Sequence, residues 1–183
     1  MNQHPASIPP EGRHCYAVRV YYDDTDAGGI AYHATYLRYA EHARTEALRD
    51  LGIPHAELVQ RCNLMFVVRR IEVDYLHAAR LDDSLVVETE ILVAGGASAT
   101  LRQTVRQGGR QTGLDPGGVC AVLTVKLACV RVGPGPNGVA LDQPGSGGNK
   151  PGRLPPRWRT VLQAMRDARP AETARASSVT APG

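Results

Sequence analysis

Apolar and polar residues first alternate at residues 16–22, YAVRVYY, where Tyr16, Val18, Val20 and Tyr22 fall on one face and Ala17, Arg19 and Tyr21 on the other. A period of two predicts a strand. The run DDTDAGG follows and is rich in turn formers. The period then changes. In HATYLRYAEHARTEALRDLG the residues Tyr36, Ala40, Ala43, Ala47 and Leu51 recur at spacings of four, three, four and four. That draws a single apolar stripe along a helix beginning near His33 or Ala34. Arg38, His42, Thr45 and Arg49 lie elsewhere on the wheel, and Gly52 sits where a helix terminator belongs. Three alanines in the stripe let the helix approach a neighbour closely, which suits burial against a sheet.

Four more strands are predicted at roughly 64–75, 85–94, 97–107 and 119–132. Ala94-Gly95-Gly96-Ala97 reads as a tight hairpin turn and residues 108–118 as a longer one. Residues 133–152 are dominated by Gly and Pro and read as irregular. Residues 157–169 form a short helical pattern with Val161, Leu162 and Met165 on one side. Strand, long helix, then four strands in hairpin sequence predicts an α+β fold, with the helix packed on a five-stranded antiparallel sheet. One helix covers one face of such a sheet, so a second copy of the chain is expected to meet the rest.

The 183-residue length suits one domain with one core, and 43% hydrophobic and 21% charged residues are ordinary globular values. The expected organisation is a disordered lead over 1–14, a folded domain over 15–132 and a partly disordered Gly/Pro-rich and basic extension over 133–183. The start, MNQHPASIPPEGRH, lacks the basic stretch and apolar run of a signal peptide. No apolar stretch reaches 18 residues, so no membrane span is expected. Cys15, Cys62, Cys120 and Cys129 make no CxxC pair and show no metal-ligand spacing. They read as reduced thiols of a cytoplasmic protein. The net charge of +3 is uneven, because Lys150 to Arg175 holds seven basic residues against two acidic ones. A solvated tail accounts for this, and an attraction to phosphates or an acidic partner is the alternative.

The chemistry concentrates in Arg19 to Tyr36, RVYYDDTDAGGIAYHATY. Asp23, Asp24 and Asp26 sit in the strand-to-helix turn, followed by Gly28 and Gly29. Such acids can simply satisfy turn amides. They can also do chemistry. A helix N-terminus presents unpaired N–H groups and partial positive charge. A carbonyl lodged there is polarised, and its developing oxyanion is stabilised. A carboxylate beside it can attack the carbonyl carbon or activate water. Glycines admit a substrate close to the backbone. The nucleophile elbow GxSxG of serine hydrolases is absent from the sequence.

The segment RVYYDDTDAGGIAYHATYLRYAEHARTEALRDLGI closely resembles the start of the YbgC-type, Tol-Pal-associated branch of the 4-hydroxybenzoyl-CoA thioesterase family. The matching signature is Thr25-Asp26, Gly29-Ile30, His33 and Tyr36, and the similarity continues through FVVRRIEVDY and AARLDDSL. It spans roughly residues 16–132. Ala31 stands where the family more often has Val, and Ala78 where relatives often have Pro. Residues 133–152 look like an insertion after the last strand, where relatives are shorter; disorder is expected there, and folding over the pantetheine channel, with an effect on substrate choice, is the alternative.

The resemblance implies a hotdog fold, in which the sheet wraps the long helix. It implies a dimer with a continuous sheet, commonly paired into a tetramer, with active sites at the subunit interface. It implies hydrolysis of acyl-CoA to free acid and CoA, with no cofactor and no metal; acyl carrier protein is a possible alternative carrier. Asp26 falls on the catalytic aspartate and is preferred on that ground to Asp23 and Asp24. His33 falls at the helix start, where its backbone N–H can face the thioester oxygen and its side chain can orient substrate or water. Gly28, Gly29, Tyr32, Tyr22 and Arg70 are the expected substrate-binding residues. Core packing explains Tyr22 and Tyr32 equally well, and surface ion pairs explain Arg69, Arg70 and Arg80. Glu41 and Glu46 lie on the helix, and Glu41 reads as a partner in a structural ion pair. Two other functions fit the fold: a hydratase or dehydratase acting on acyl thioesters, and a non-catalytic binder of acyl-CoA or acyl carrier protein. Neither the His/acid set of the first nor a helix-turn-helix for DNA binding is found, so no nucleic-acid partner is expected.

Overall fold

The computed structural model of the chain describes residues 8–108, 118–133, 140–141 and 150–170. Its elements are β1 (Arg13–Arg19), α1 (Thr35–Asp50), α2 (His55–Cys62), β2 (Leu64–Tyr75), β3 (Ser84–Ala94), β4 (Ser98–Gln107), β5 (Val119–Gly133), the two-residue β6 (Ala140–Leu141) and α3 (Pro156–Asp167). The five long strands form one antiparallel sheet in the order β1-β3-β4-β5-β2, and β6 pairs with the end of β5. The α+β architecture expected from the sequence is the one observed.

The register explains which residues face the helix. Tyr16, Val87, Val105, Ala121 and Tyr75 form one row across the sheet, and Ile91, Leu101, Val125 and Ile71 form another. Against them α1 sets its stripe, and Tyr36, Ala40, Ala43, Ala47 and Leu51 are all buried. The alternate rows carry charge on the other face. Arg13, Glu90, Arg102, Thr124 and Glu72 run across it, and Arg13 and Arg106 pair with Glu88 at 3.5 and 3.0 Å. Val86 and Val122 share that face with these charges, so it is of mixed character.

Between the two apolar rows lies a polar one of His14, Thr89 and Gln103, all buried. Gln103 Nε2 donates to the Ala40 carbonyl and to Thr89 Oγ1, both at 2.9 Å, and Oε1 accepts from Arg44 Nη1 at 2.8 Å. One amide thus ties the middle of α1 to the sheet with every bond satisfied.

Three elements differ from expectation. β1 begins and ends three residues earlier than the alternation predicted, so residues 13 and 14 are strand rather than disordered lead, and the chain turns away after Arg19. α2 was not foreseen. It is only eight residues long, starts behind Pro54 and fully buries Leu58 alone. α3 packs on β3 and drives Trp158, Leu162 and Met165 into the core beside Leu51, Ile53 and Leu58. The folded body therefore extends beyond 15–132. Residues 1–7, most of the loop expected at 108–118 and most of the segment expected as an insertion lie outside the described residues. Burial pushes the Cys120 and Cys129 thiols up to about 11, so both stay protonated and inert near neutrality. No helix among the described residues is long and apolar enough to cross a membrane.

Replacing Gln103 by Leu strands the Arg44 and Thr89 groups and unties α1. We expect it to lower unfolding stability by about 2–3 kcal/mol, read as a shift of the urea midpoint. An unchanged midpoint contradicts the role given to this amide.

Candidate active site

The chain from Val20 to Ala34 is shaped by the buried carboxylate of Asp24. Its Oδ2 accepts from the Tyr21 N–H at 2.9 Å and from the Tyr39 hydroxyl at 2.7 Å, and its Oδ1 meets Arg38. Its backbone carbonyl accepts from the Tyr32 N–H at 2.8 Å and the Thr35 hydroxyl at 3.2 Å. Capture of the Tyr21 N–H is what ends β1 early, since that N–H is no longer free for a strand ladder. Tyr21 and Asp24 close a 3-10 turn over residues 22–24. Burial pushes the Tyr39 phenol up to about 12, so it stays a donor to Asp24.

Two residues on, Asp26 has a different environment. It is exposed, and among the described residues its Oδ1 accepts only from the Gly28 N–H at 2.8 Å. Oδ2 has no hydrogen-bond partner among the described residues. The Asp26 N–H donates to the Ile30 carbonyl at 2.9 Å, and the Gly29 N–H to the Asp26 carbonyl at 3.0 Å. Gly29 adopts φ +71°, which disfavours a side chain. A Cβ on Gly28 would stand 3.1 Å from Asp26 Oδ1. Both glycines thus serve the loop that presents the carboxylate.

The loop leads into the start of α1. Its N-cap is Ala34, which has no side chain able to cap, and no acidic residue lies in the first turn. Among the described residues, the His33 and Ala34 N–H groups donate to no acceptor. An uncapped helix start therefore lies seven and eight residues after Asp26 in the chain, with donors available for a ligand.

The opposite wall comes from the segment after β2. Ala31 N–H donates to the Ala79 carbonyl at 2.8 Å, Ala79 N–H donates to the Tyr36 hydroxyl at 3.0 Å, and Ile30 bridges to Arg80. This seats Tyr75, Leu76, His77 and Ala78 across from Asp26. Together with His33 and Tyr36 they line a pocket of about 260 Å³. The Tyr75 hydroxyl donates to the His33 carbonyl at 3.0 Å and steadies the turn before the helix. Burial raises the Tyr36 and Tyr75 phenols above their ordinary value, so both remain hydroxyls at neutral pH.

The structure thus brings Asp26 and His33 into one pocket, with Gly28 and Gly29 in the loop that holds Asp26. The Tyr32 ring lies against His33 at a tilt, with a ring separation of 4.2 Å, but does not line the pocket. Tyr22 lies on the 3-10 turn with 82% of its surface exposed. Arg70 sits on the charged face, paired with Glu72 and across from Lys126. Neither joins the pocket within one chain. Tyr75 and His77 were missed by sequence reasoning. Tyr75 carries the periodic signal of an inward strand residue, whereas His77 stands in no motif. A second cavity, of about 150 Å³, lies under the far half of α1 among Leu48, Leu51, Ile91 and Leu101, with Arg44 and His55 at its polar side. It shares no residue with the Asp26 pocket.

Comparison with known proteins gives consistent results. Residues 28–114 match the model of the thioesterase superfamily. The chain is 45% identical over 118 residues to the acyl-CoA thioesterase YbgC of Haemophilus influenzae, covering 64% of this chain and 81% of that protein. It is 46% identical over 90 residues to the acyl-CoA thioester hydrolase YbgC of Escherichia coli O157:H7, covering 49% of this chain and 66% of that protein. A probable thioesterase from Bartonella henselae superposes with a TM-score of 0.61 at 30% identity, covering 78% of this chain and 99% of that one.

The two acids should separate in stability. Asp24→Asn removes a buried charge that serves three donors, and it should cost about 2–3 kcal/mol. The half-exposed Arg38 adds little to that figure, because solvent screens its share. Asp26→Asn keeps an oxygen for the Gly28 N–H and should stay within about 0.5 kcal/mol of wild type. Urea unfolding of both variants checks this; equal losses would contradict it.

Proposed function

The chain belongs to the thioesterase superfamily, in its YbgC-type branch, and from that premise we propose that it hydrolyses acyl-CoA thioesters at the Asp26 pocket. The observation that carries the reading is a free carboxylate oxygen set beside an uncapped helix start. The acyl carbonyl oxygen is received by the His33 and Ala34 N–H groups and polarised there. Asp26 then attacks the carbonyl carbon as nucleophile or takes a proton from an attacking water. The products are a free acid and CoA. Acyl carrier protein, which bears the same pantetheine thiol, is the alternative carrier. CoA thioesters are cytoplasmic metabolites, so the proposed workplace is the cytoplasm.

The proposed assembly is a dimer, paired further into a tetramer. β1 and β2 are edge strands, and the twelve-residue β2 leaves a long row of backbone groups without a strand partner among the described residues. Such an edge pairs readily with another chain. A second copy added there would continue the sheet and close the open side of the pocket.

Asp26→Asn should lower kcat on a responsive acyl-CoA by about 10²–10⁴-fold, read by release of free thiol. Turnover near wild type removes Asp26 from the mechanism. His33→Ala keeps the backbone donor and should retain most activity if only the N–H acts. In a single turnover in oxygen-labelled water, label entering Asp26 marks a nucleophile.

A further inference from the structure

His77 holds an arrangement that the Asp26 chemistry leaves unused. Its backbone is fixed on β5, since the Leu76 and His77 N–H groups both donate to the Cys120 carbonyl at 2.8 and 3.2 Å. Its ring is fixed too, with Nδ1 2.9 Å from the Val119 carbonyl. A carbonyl only accepts, so Nδ1 carries its hydrogen whether the ring is neutral or charged. Every change of protonation therefore falls on Nε2, which has no hydrogen-bond partner among the described residues. The ring lines the same pocket as Asp26 and His33.

The two phenols of that pocket are already committed. Tyr75 gives its hydroxyl hydrogen to the His33 carbonyl, and Tyr36 takes the Ala79 N–H. Both phenols are held neutral by burial. The His33 ring lies tilted against Tyr32 with neither nitrogen hydrogen-bonded among the described residues, so no protein partner among them sets its tautomer. Asp26 is assigned to the acyl carbon. His77 alone combines a set tautomer with an unengaged nitrogen.

We propose that His77 is a second catalytic residue, delivering the Nε2 proton to the sulfur that leaves the thioester. The proposal rests on the thioesterase reading above. In the step, oxygen from Asp26 or from water bonds to the acyl carbon and the C–S bond breaks. The electron pair leaves on sulfur, and the Nε2 hydrogen moves to it as a proton, giving the CoA thiol and a neutral imidazole. Water supplies the one oxygen consumed, to the product acid directly or to Asp26 when the Asp26 oxygen leaves with the acyl group, and its released proton recharges Nε2 through solvent. The net reaction consumes one water and yields one acid and one thiol.

The test uses His77→Asn, whose side-chain amide stands where Nδ1–H does. It keeps the bond to Val119 and deletes the transferring atom. Wild type and H77N are assayed on an acyl-CoA and on the same acyl group esterified to thiophenol, whose thiolate departs without a proton. The expected result is a loss of about 10²-fold on acyl-CoA and a near wild-type rate on the aryl thioester. Equal losses on both substrates, or no loss on acyl-CoA, overturn the proposal. The ratio between substrates does not depend on how much variant is folded. A wild type inert on both thioesters overturns the thioesterase reading itself, whereas activity that D26N abolishes and H77N leaves intact overturns only the role of His77.

Discussion

One buried carboxylate organises the strand-to-helix turn. Asp24 collects the Tyr21 N–H, the Tyr39 hydroxyl and Arg38, while its carbonyl holds Tyr32 and Thr35. Two of those donors, Arg38 and Tyr39, come from the first turns of α1. The loop and the helix start are thereby locked as one piece. Burying a charge is costly unless every lone pair is used, and here the donors are supplied by the helix itself. The consequence is functional. With Asp24 spent on structure, the loop can leave Asp26 nearly unbonded, exposed and close in sequence to an uncapped helix end.

The same division of labour recurs across the pocket. α1 begins on Ala34, which cannot cap, so the helix gives up a stabilising bond and keeps its donors open. Tyr75 reaches from the last residue of β2 to the His33 carbonyl and sets the direction of that turn from the sheet side. The sheet, through β2 and β5, also seats His77. The site is thus assembled from one loop, one helix end and one strand end, each fixed by a contact that is itself fully paired.

Much of this was legible in the sequence, because strong periodicity survives folding. Every residue named for the α1 stripe is buried, although Thr35, Tyr39 and Leu48 are buried beside them, and β2 to β5 fell within a residue of their predicted ends. β1 slipped by three residues because alternation cannot reveal that Asp24 will capture the Tyr21 N–H. α2 escaped because it offers too few apolar positions to show a period. Asp26 could be placed in a turn by its neighbours, but its preference over Asp24 came from the family resemblance; the structure adds a physical difference, one acid buried and bonded, the other exposed. His77 had no signal to read. Its place in the pocket follows from the pairing of Ala79 with Ala31 and of Arg80 with Ile30, contacts between residues 48 and 50 apart in the chain.

The central claim is that the thioester carbonyl docks on the start of α1 beside Asp26. A crystal structure with an acyl-CoA analogue in which a methylene replaces sulfur tests it directly. The account predicts the ketone oxygen about 3 Å from the His33 or Ala34 nitrogen, with Asp26 facing the carbonyl carbon. A ketone bound away from the helix start, for example in the apolar cavity beneath the far half of α1, would contradict it.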